Sequence, residues 1–244
     1  MNNYKMIIEY DGTKFHGWQR QKNTKNTIQE YIESSLKSLL KQDIGITGAG
    51  RTDAEVSAYN QVANFKTEKE FDLNKILYSL NSILPDAITI KKISKVPLKF
   101  HSRYSAKRRE YVYKISFRKR SIDGRYFFKL IYDIDLKLID KFINNFLGYR
   151  SFKSLCKNST DKHNFRCNVS EISYVHSKGK DELIFKIVSD RFLHSMVRGI
   201  MGCLIDIGRG RLNFEETKNA FQKGEKIKTT YLPGNALFLK KIYY

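Results

Sequence analysis

Segments of helical and of strand period follow one another along this chain without the regular strand–helix–strand alternation that a parallel sheet requires. A strand is predicted over residues 4–10, ending in the turn Asp11-Gly12-Thr13. The spacing of Ile28, Ile32, Leu36, Leu39 and Leu40 predicts a helix over 27–41, opened by a Thr27/Glu30 capping box. Strand-like runs at 43–47 and 61–67 flank a glycine-rich turn, and a second helix over 73–84 is stopped by Pro85. Strands follow at 88–96 and 109–117. The remainder runs in a similar order, with a helix over 136–147, strands at 167–176 and 183–189, helices over 194–207 and 214–222, and a closing strand at 236–243. This order predicts an α+β fold with a mainly antiparallel sheet. Two halves are expected, residues 1–120 and 121–244. Their boundary falls between Phe117 and Leu136, where Asp123-Gly124 is the best turn signal. No sequence-level repeat relates the halves.

At 244 residues the chain can bury a full core, as one large domain or two small ones. The N-terminus lacks a basic stretch followed by an apolar one, and no apolar run approaches the ~20 residues of a membrane span. A soluble, cytoplasmic protein is expected. Cys156, Cys167 and Cys203 are odd in number and scattered, which argues against a disulfide framework. The spacing Cys156-x6-His163-x3-Cys167 is conceivable as a zinc site but lacks a CxxC pair and an evident fourth ligand, so no metal is expected.

The charge balance points to a polyanion. Lys and Arg number 45 against 25 Asp and Glu, a net charge of +20. A chain this rich in Lys, Asn and Ile carries some of that charge as compositional bias, so the clusters decide more than the total. Lys107-Arg108-Arg109 and Arg118-Lys119-Arg120 lie close together, with Tyr104, Tyr111, Tyr113 and Phe117 interleaved. Cations for phosphate and aromatic faces for bases are what an unstacked RNA strand requires, although a solvated basic strand edge would look similar.

One short stretch carries the chemistry. Residues 48–58 read Gly-Ala-Gly-Arg-Thr-Asp-Ala-Glu-Val-Ser-Ala, which sets Asp53 on a glycine-rich turn between strands, where catalytic groups are commonly presented. Taken alone, such an aspartate is more often an Asx-turn or cap residue than a catalyst. A phosphate-binding loop at 45–52 lacks the Gly-Lys-Ser/Thr ending, and Asp53 would set an anion against the phosphate. No Gly-x-Ser-x-Gly elbow is present to indicate a serine hydrolase. Arg198 interrupts an otherwise apolar helix surface made by Val197, Ile200, Met201, Leu204 and Ile205, and a charge there needs a partner. Tyr111 and Tyr113 share one face of their strand. Phe15 and Trp18 read as core anchors within the polar stretch 10–21.

Four stretches together resemble the tRNA pseudouridine synthase A family: residues 10–21, 48–58, 100–113 and 191–210, in the family's order and spread along most of the chain. The family signature Gly-Arg-Thr-Asp-Ala-Gly-Val-His-Ala is matched at Gly50, Arg51, Thr52, Asp53, Ala54, Val56 and Ala58, while Glu55 and Ser57 depart from it. The resemblance implies two α+β halves sharing a central sheet, with the active cleft between them. It implies Asp53 as catalytic aspartate, Arg198 as its charged partner, Tyr111 stacked on the target base and Leu237 as an apolar wall of the base pocket. Arg51 would steer the flipping of that base, and Lys107, Arg108 and Arg109 would hold phosphates. The substrate implied is uridine at positions 38, 39 and 40 of the tRNA anticodon arm, isomerised to pseudouridine without a cofactor by a homodimer. Whether Asp53 attacks C6 of the base or C1′ of the sugar stays open. A catalytically inactive tRNA-binding protein or RNA chaperone is the alternative, motivated by Glu55 and Ser57. The family's Gly at position 55 implies a backbone with unusual φ or little room, so the Glu55 side chain is expected to turn outward.

Overall fold

A computed structural model describes residues 1–157 and 164–244. In chain order the elements are β1 (Asn2–Tyr10), α1 (Ile28–Leu40), β2 (Thr47–Gly48), β3 (Ser57–Thr67), α2 (Leu73–Ile83) and β4 (Ile88–Val96), then β5 (Arg108–Ser116), β6 (Phe128–Lys129), α3 (Leu136–Ile143) and β7 (Gly148–Ser151). They continue with β8 (Arg166–Ser177), β9 (Glu182–Ser189), α4 (Met196–Gly208), α5 (Phe214–Lys223) and β10 (Leu237–Tyr243). The fold is α+β with a mainly antiparallel sheet, as the sequence predicts. Its contacts divide the chain into two compact units, Met1–Lys107 with Phe238–Tyr244, and Arg108–Leu237. The chain therefore changes unit ahead of the stretch 117–136 and returns to the first unit for its last strand.

In the first unit the strands run β4–β1–β3–β10, with β2 beside β3. Both pairings of β1 are antiparallel, and β10 joins β3 in parallel through Phe238 opposite Ser57 and Leu239 opposite Ala58. Helix α1 buries Ile28, Ile32, Leu36 and Leu40. Thr27 caps it by accepting from the Glu30 amide, while its own N–H goes to the Lys25 carbonyl, so only one arm of the capping box forms. The strand predicted at 43–47 shrinks to Thr47–Gly48 for a specific reason. The Ile46 amide, which a ladder would use, donates instead to Oε1 of Glu33 at 2.9 Å. That buried carboxylate also accepts from Gln29 at 2.8 Å and from Arg20 at 3.1 Å. A satisfied buried charge thus takes the place of the ladder at Ile46.

In the second unit the strands run β5–β9–β8–β7, all antiparallel, and the short β6 lies parallel to β5. The sequence overextends helix α3, which stops at Ile143 rather than 147. The amides of Asn145 and Phe146 reach back only three residues, to Phe142 and Ile143, which tightens the last turn. This turn sends Phe146 into an edge-to-face cluster with Phe142 at 5.4 Å and Phe221 at 4.9 Å. Helix α4 is buried along nearly its whole length, and Gly202 makes that possible. A Cβ at Gly202 would lie 1.8 Å from the Thr230 carbonyl oxygen. Gly202→Ala should therefore destabilise the protein by at least about 1–3 kcal/mol, the usual cost of overpacking, as read from urea denaturation midpoints.

Candidate active site

The loop 49–56 of the first unit carries Arg51 and Asp53, and its backbone is fixed from below by a buried polar network. Tyr10 ends β1 opposite Ala58, so its ring passes under the loop. Its hydroxyl shares a hydrogen bond of 2.8 Å with Oγ1 of Thr52, the residue directly before Asp53. The same hydroxyl meets the side chain of Gln61, which donates to the Gly50 carbonyl at 2.9 Å. Burial drives the Tyr10 phenol well above its ordinary pKa, against the opposing pull of Thr52 and Gln61, so it stays protonated as the network needs. Tyr10, Thr52 and Gln61 are all buried. A hydrogen bond from the Ala49 amide to the Val62 carbonyl, 2.7 Å, closes the start of the loop.

A second loop, residues 11–20, braces the first from the side. The Trp18 amide donates to the Thr52 carbonyl at 3.1 Å, and the Glu55 amide donates to the Phe15 carbonyl at 3.2 Å. Gly12 donates its N–H to Oγ of Ser57 at 2.9 Å and packs so closely that a Cβ there would sit 2.0 Å from the Val56 carbonyl oxygen. Phe15 and Trp18 are both buried, as core anchors should be. The stretch 10–21 is thus the mechanical support of the Asp53 loop. Within that frame Arg51 is exposed and Asp53 half-buried, its carbonyl accepting from the Val56 amide at 3.2 Å.

Both departures from the family signature have a structural reading. Glu55 has φ of 67°, a left-handed conformation that a glycine would adopt without strain, and its side chain is exposed. Ser57 is buried and supplies the acceptor that holds the Gly12 amide.

The second unit holds Arg108, Arg109, Tyr111, Arg198 and Leu237. Tyr111 is buried, edge-on to Phe192 with ring centroids 5.1 Å apart. Arg198, half-buried on α4, donates from Nε to the Leu232 carbonyl at 2.6 Å, and its own carbonyl accepts from the Leu232 amide at 3.3 Å. Tyr113 is fully buried and donates to the Pro233 carbonyl at 3.0 Å. Burial pushes its phenol strongly upward, while the Arg198 charge pulls the other way. The segment leading to buried Leu237 is thereby tied to both α4 and β5. Nothing in the sequence marks Tyr113 as the anchor of this segment, or Tyr10 and Gln61 as supports of the loop. The one signal available is a polar residue at an inward-facing strand position, and Gln61 is one.

The basic stretches are less available than their sequence implies. Lys107 and Arg108 are exposed, but Arg109 is half-buried and donates to the Asp190 carbonyl at 2.6 Å. Arg120 is bound on both sides by carboxylates, with Asp123 at 2.7 Å and Glu182 at 2.8 Å, and it lies over the Phe127 ring at 4.4 Å. Of the conceivable zinc ligands, Cys156 and Cys167 are buried, and His163 lies outside the described residues. Among the described residues, no helix is long and apolar enough to cross a membrane, and no cluster of three metal-ligating side chains occurs.

The profile of the family described as tRNA pseudouridine synthase matches residues 6–105 and 142–244. The chain belongs to the tRNA pseudouridine synthase family. Its similarity to individual family members is of full length. The protein named tRNA pseudouridine synthase A in Thermodesulfovibrio yellowstonii is 37% identical over 100% of both chains. Those of the same name in Bacteroides thetaiotaomicron and Acetivibrio thermocellus are each 34% identical over 100% of this chain, covering 91% and 100% of their own lengths.

Two substitutions test the loop's support in this family member. Tyr10→Phe removes the hydroxyl but keeps the ring, and should cost about 1–2 kcal/mol as Thr52 and Gln61 lose their partner. Glu55→Gly should raise stability by about 1 kcal/mol, since it relieves a left-handed backbone. Chemical denaturation of each variant beside the parent reads both effects.

Proposed function

We propose that this chain isomerises uridine to pseudouridine in the anticodon arm of tRNA, at positions 38, 39 and 40, with Asp53 as nucleophile. The observation that carries this reading is the Asp53 loop itself. In a chain similar over its full length to proteins named for this reaction, the carboxylate sits on a loop held by buried hydrogen bonds on two sides. The reaction breaks the N-glycosidic bond, turns the uracil, joins its C5 to C1′ and moves the C5 proton to nitrogen. Atoms and oxidation state balance within the nucleotide, so the chemistry needs no cofactor. It needs a carboxylate that can bond to the nucleotide and leave again.

The target uridine is stacked in its stem-loop and must be turned out before it reaches a carboxylate. Arg51, exposed beside Asp53, steers that movement. Tyr111 and Leu237 hold the extruded base, and Arg198 serves as the charged partner of Asp53. Lys107 and Arg108 bind phosphate, with Arg109 fixing the strand from which Arg108 projects. The enzyme works in the cytoplasm as a homodimer, which gives a long RNA a second basic surface to lie on.

Asp53→Asn should abolish pseudouridine formation while tRNA affinity holds or rises, because the change is nearly isosteric and removes a negative charge. Loss of binding along with activity would make Asp53 a structural residue. Arg198→Met should lower the single-turnover rate by orders of magnitude and cost about 1.5–3 kcal/mol of stability through the lost charged hydrogen bond to Leu232. A folded Arg198→Met protein with the parent's single-turnover rate would remove Arg198 from the reaction.

A further inference from the structure

The turn between β4 and β5 holds an exposed aromatic residue in an unusually well-fixed setting. Tyr104 is 77% exposed, yet the backbone beneath it is tied down at every step. Ser102, fully buried, donates both its N–H and its hydroxyl to Oδ1 of Asn64, at 2.9 and 2.7 Å. Its carbonyl accepts from the Tyr244 hydroxyl at 3.0 Å. The His101 amide donates to Oγ of Ser105 at 3.1 Å. Nδ1 of His101 then accepts from the amides of both Arg103 and Tyr104, each at 3.2 Å, which leaves Nε2 to carry the ring proton. The imidazole lies against the Tyr104 ring with centroids 4.3 Å apart, and the Arg103 guanidinium lies 5.6 Å from the same ring.

Such a turn is a preformed stacking platform. An exposed side chain ordinarily loses rotamer freedom when a partner covers it, but here His101 has already fixed one side of the ring. The charge around it selects the partner. From Ala87 to Arg109 the chain contains no acidic residue, and within that stretch Lys99, Arg103 and Lys107 are all exposed, Arg103 over the ring itself. A flat aromatic face amid cations, without a carboxylate in the stretch, fits a nucleobase with its phosphates.

We infer that Tyr104 stacks on an unpaired base of the substrate tRNA other than the uridine being isomerised, with Lys107 on an adjacent phosphate. This rests on the reading that tRNA is the substrate. It adds a contact that anchors the RNA away from the reacting atoms.

Fluorescence anisotropy with an unmodified tRNA transcript, at one fixed salt concentration, tests the inference in the parent, Tyr104→Ala and Tyr104→Phe. Tyr104→Ala should weaken binding by roughly fivefold or more, the loss of one base–aromatic stack, while Tyr104→Phe stays within about twofold of the parent. Lys107→Gln should weaken binding and flatten its dependence on salt by the equivalent of about one phosphate contact. Equal affinity of Tyr104→Ala and the parent would overturn the inference and leave the proposed reaction standing. Failure of the parent to bind tRNA would overturn both. A drop in molar mass by light scattering in Tyr104→Ala would assign the ring to a contact between two copies of this chain, and would also overturn it.

Discussion

The hydrogen bond between the Tyr10 hydroxyl and Thr52 is the constraint on which the Asp53 loop depends. A glycine-rich loop left to itself samples many conformations, and fixing each residue costs about 1–2 kcal/mol of backbone entropy. Here that cost is met by groups that water cannot reach. Tyr10 and Gln61 reach the loop from β1 and β3, and the amides and carbonyls of residues 12–18 hold its flank. Removing any one partner leaves another buried polar group without its mate, which is why the network resists partial opening.

In the proposed reaction this rigidity has a chemical use. A nucleophile accelerates a reaction most when its approach is settled before substrate arrives, since a misplacement of about 1 Å can cost a hundredfold in rate. The loop presents Asp53 from a frame whose own hydrogen bonds are complete without the substrate. In the second unit, Arg198 and Tyr113 impose a similar order on the segment ahead of Leu237, through the carbonyls of Leu232 and Pro233. Charged side chains that the sequence offers for RNA are partly taken up in the same kind of internal bracing, as Arg109 and Arg120 are.

Much of the fold was legible because periodicity and caps dominate it. The apolar stripe of α1, the stop at Pro85 and the bounds of β4 all follow from local pattern, with Ile28, Ile32, Leu36 and Leu40 buried at helical spacing and Ile76 and Leu80 likewise. What escaped was decided by contacts distant in sequence. The Glu33 carboxylate took the Ile46 amide and erased most of a strand, and the aromatic cluster around Phe146 ended α3 a turn early. The division at Lys107 and Phe238 depends on where β10 pairs, which no local signal reveals. The position of Asp53 was legible from its resemblance to a known signature, and the left-handed backbone at Glu55 from the glycine that signature has there. Its supports were not, because Tyr10, Thr52 and Gln61 are far apart in sequence and individually ordinary.

Glu55 and Ser57 are the positions at which the loop departs from the signature. Glu55 adopts the left-handed turn with its side chain exposed and Ser57 holds the Gly12 amide, so the loop is expected to be competent as it stands. The decisive measurement is single-turnover pseudouridine formation in a tRNA transcript by the parent chain beside Glu55→Gly/Ser57→His. The parent is expected to be active, with position-resolved pseudouridine in the anticodon arm and a rate within about tenfold of the double variant. An inactive parent whose activity appears only in the double variant would contradict that expectation, and would make this chain an RNA-binding protein that has lost the reaction.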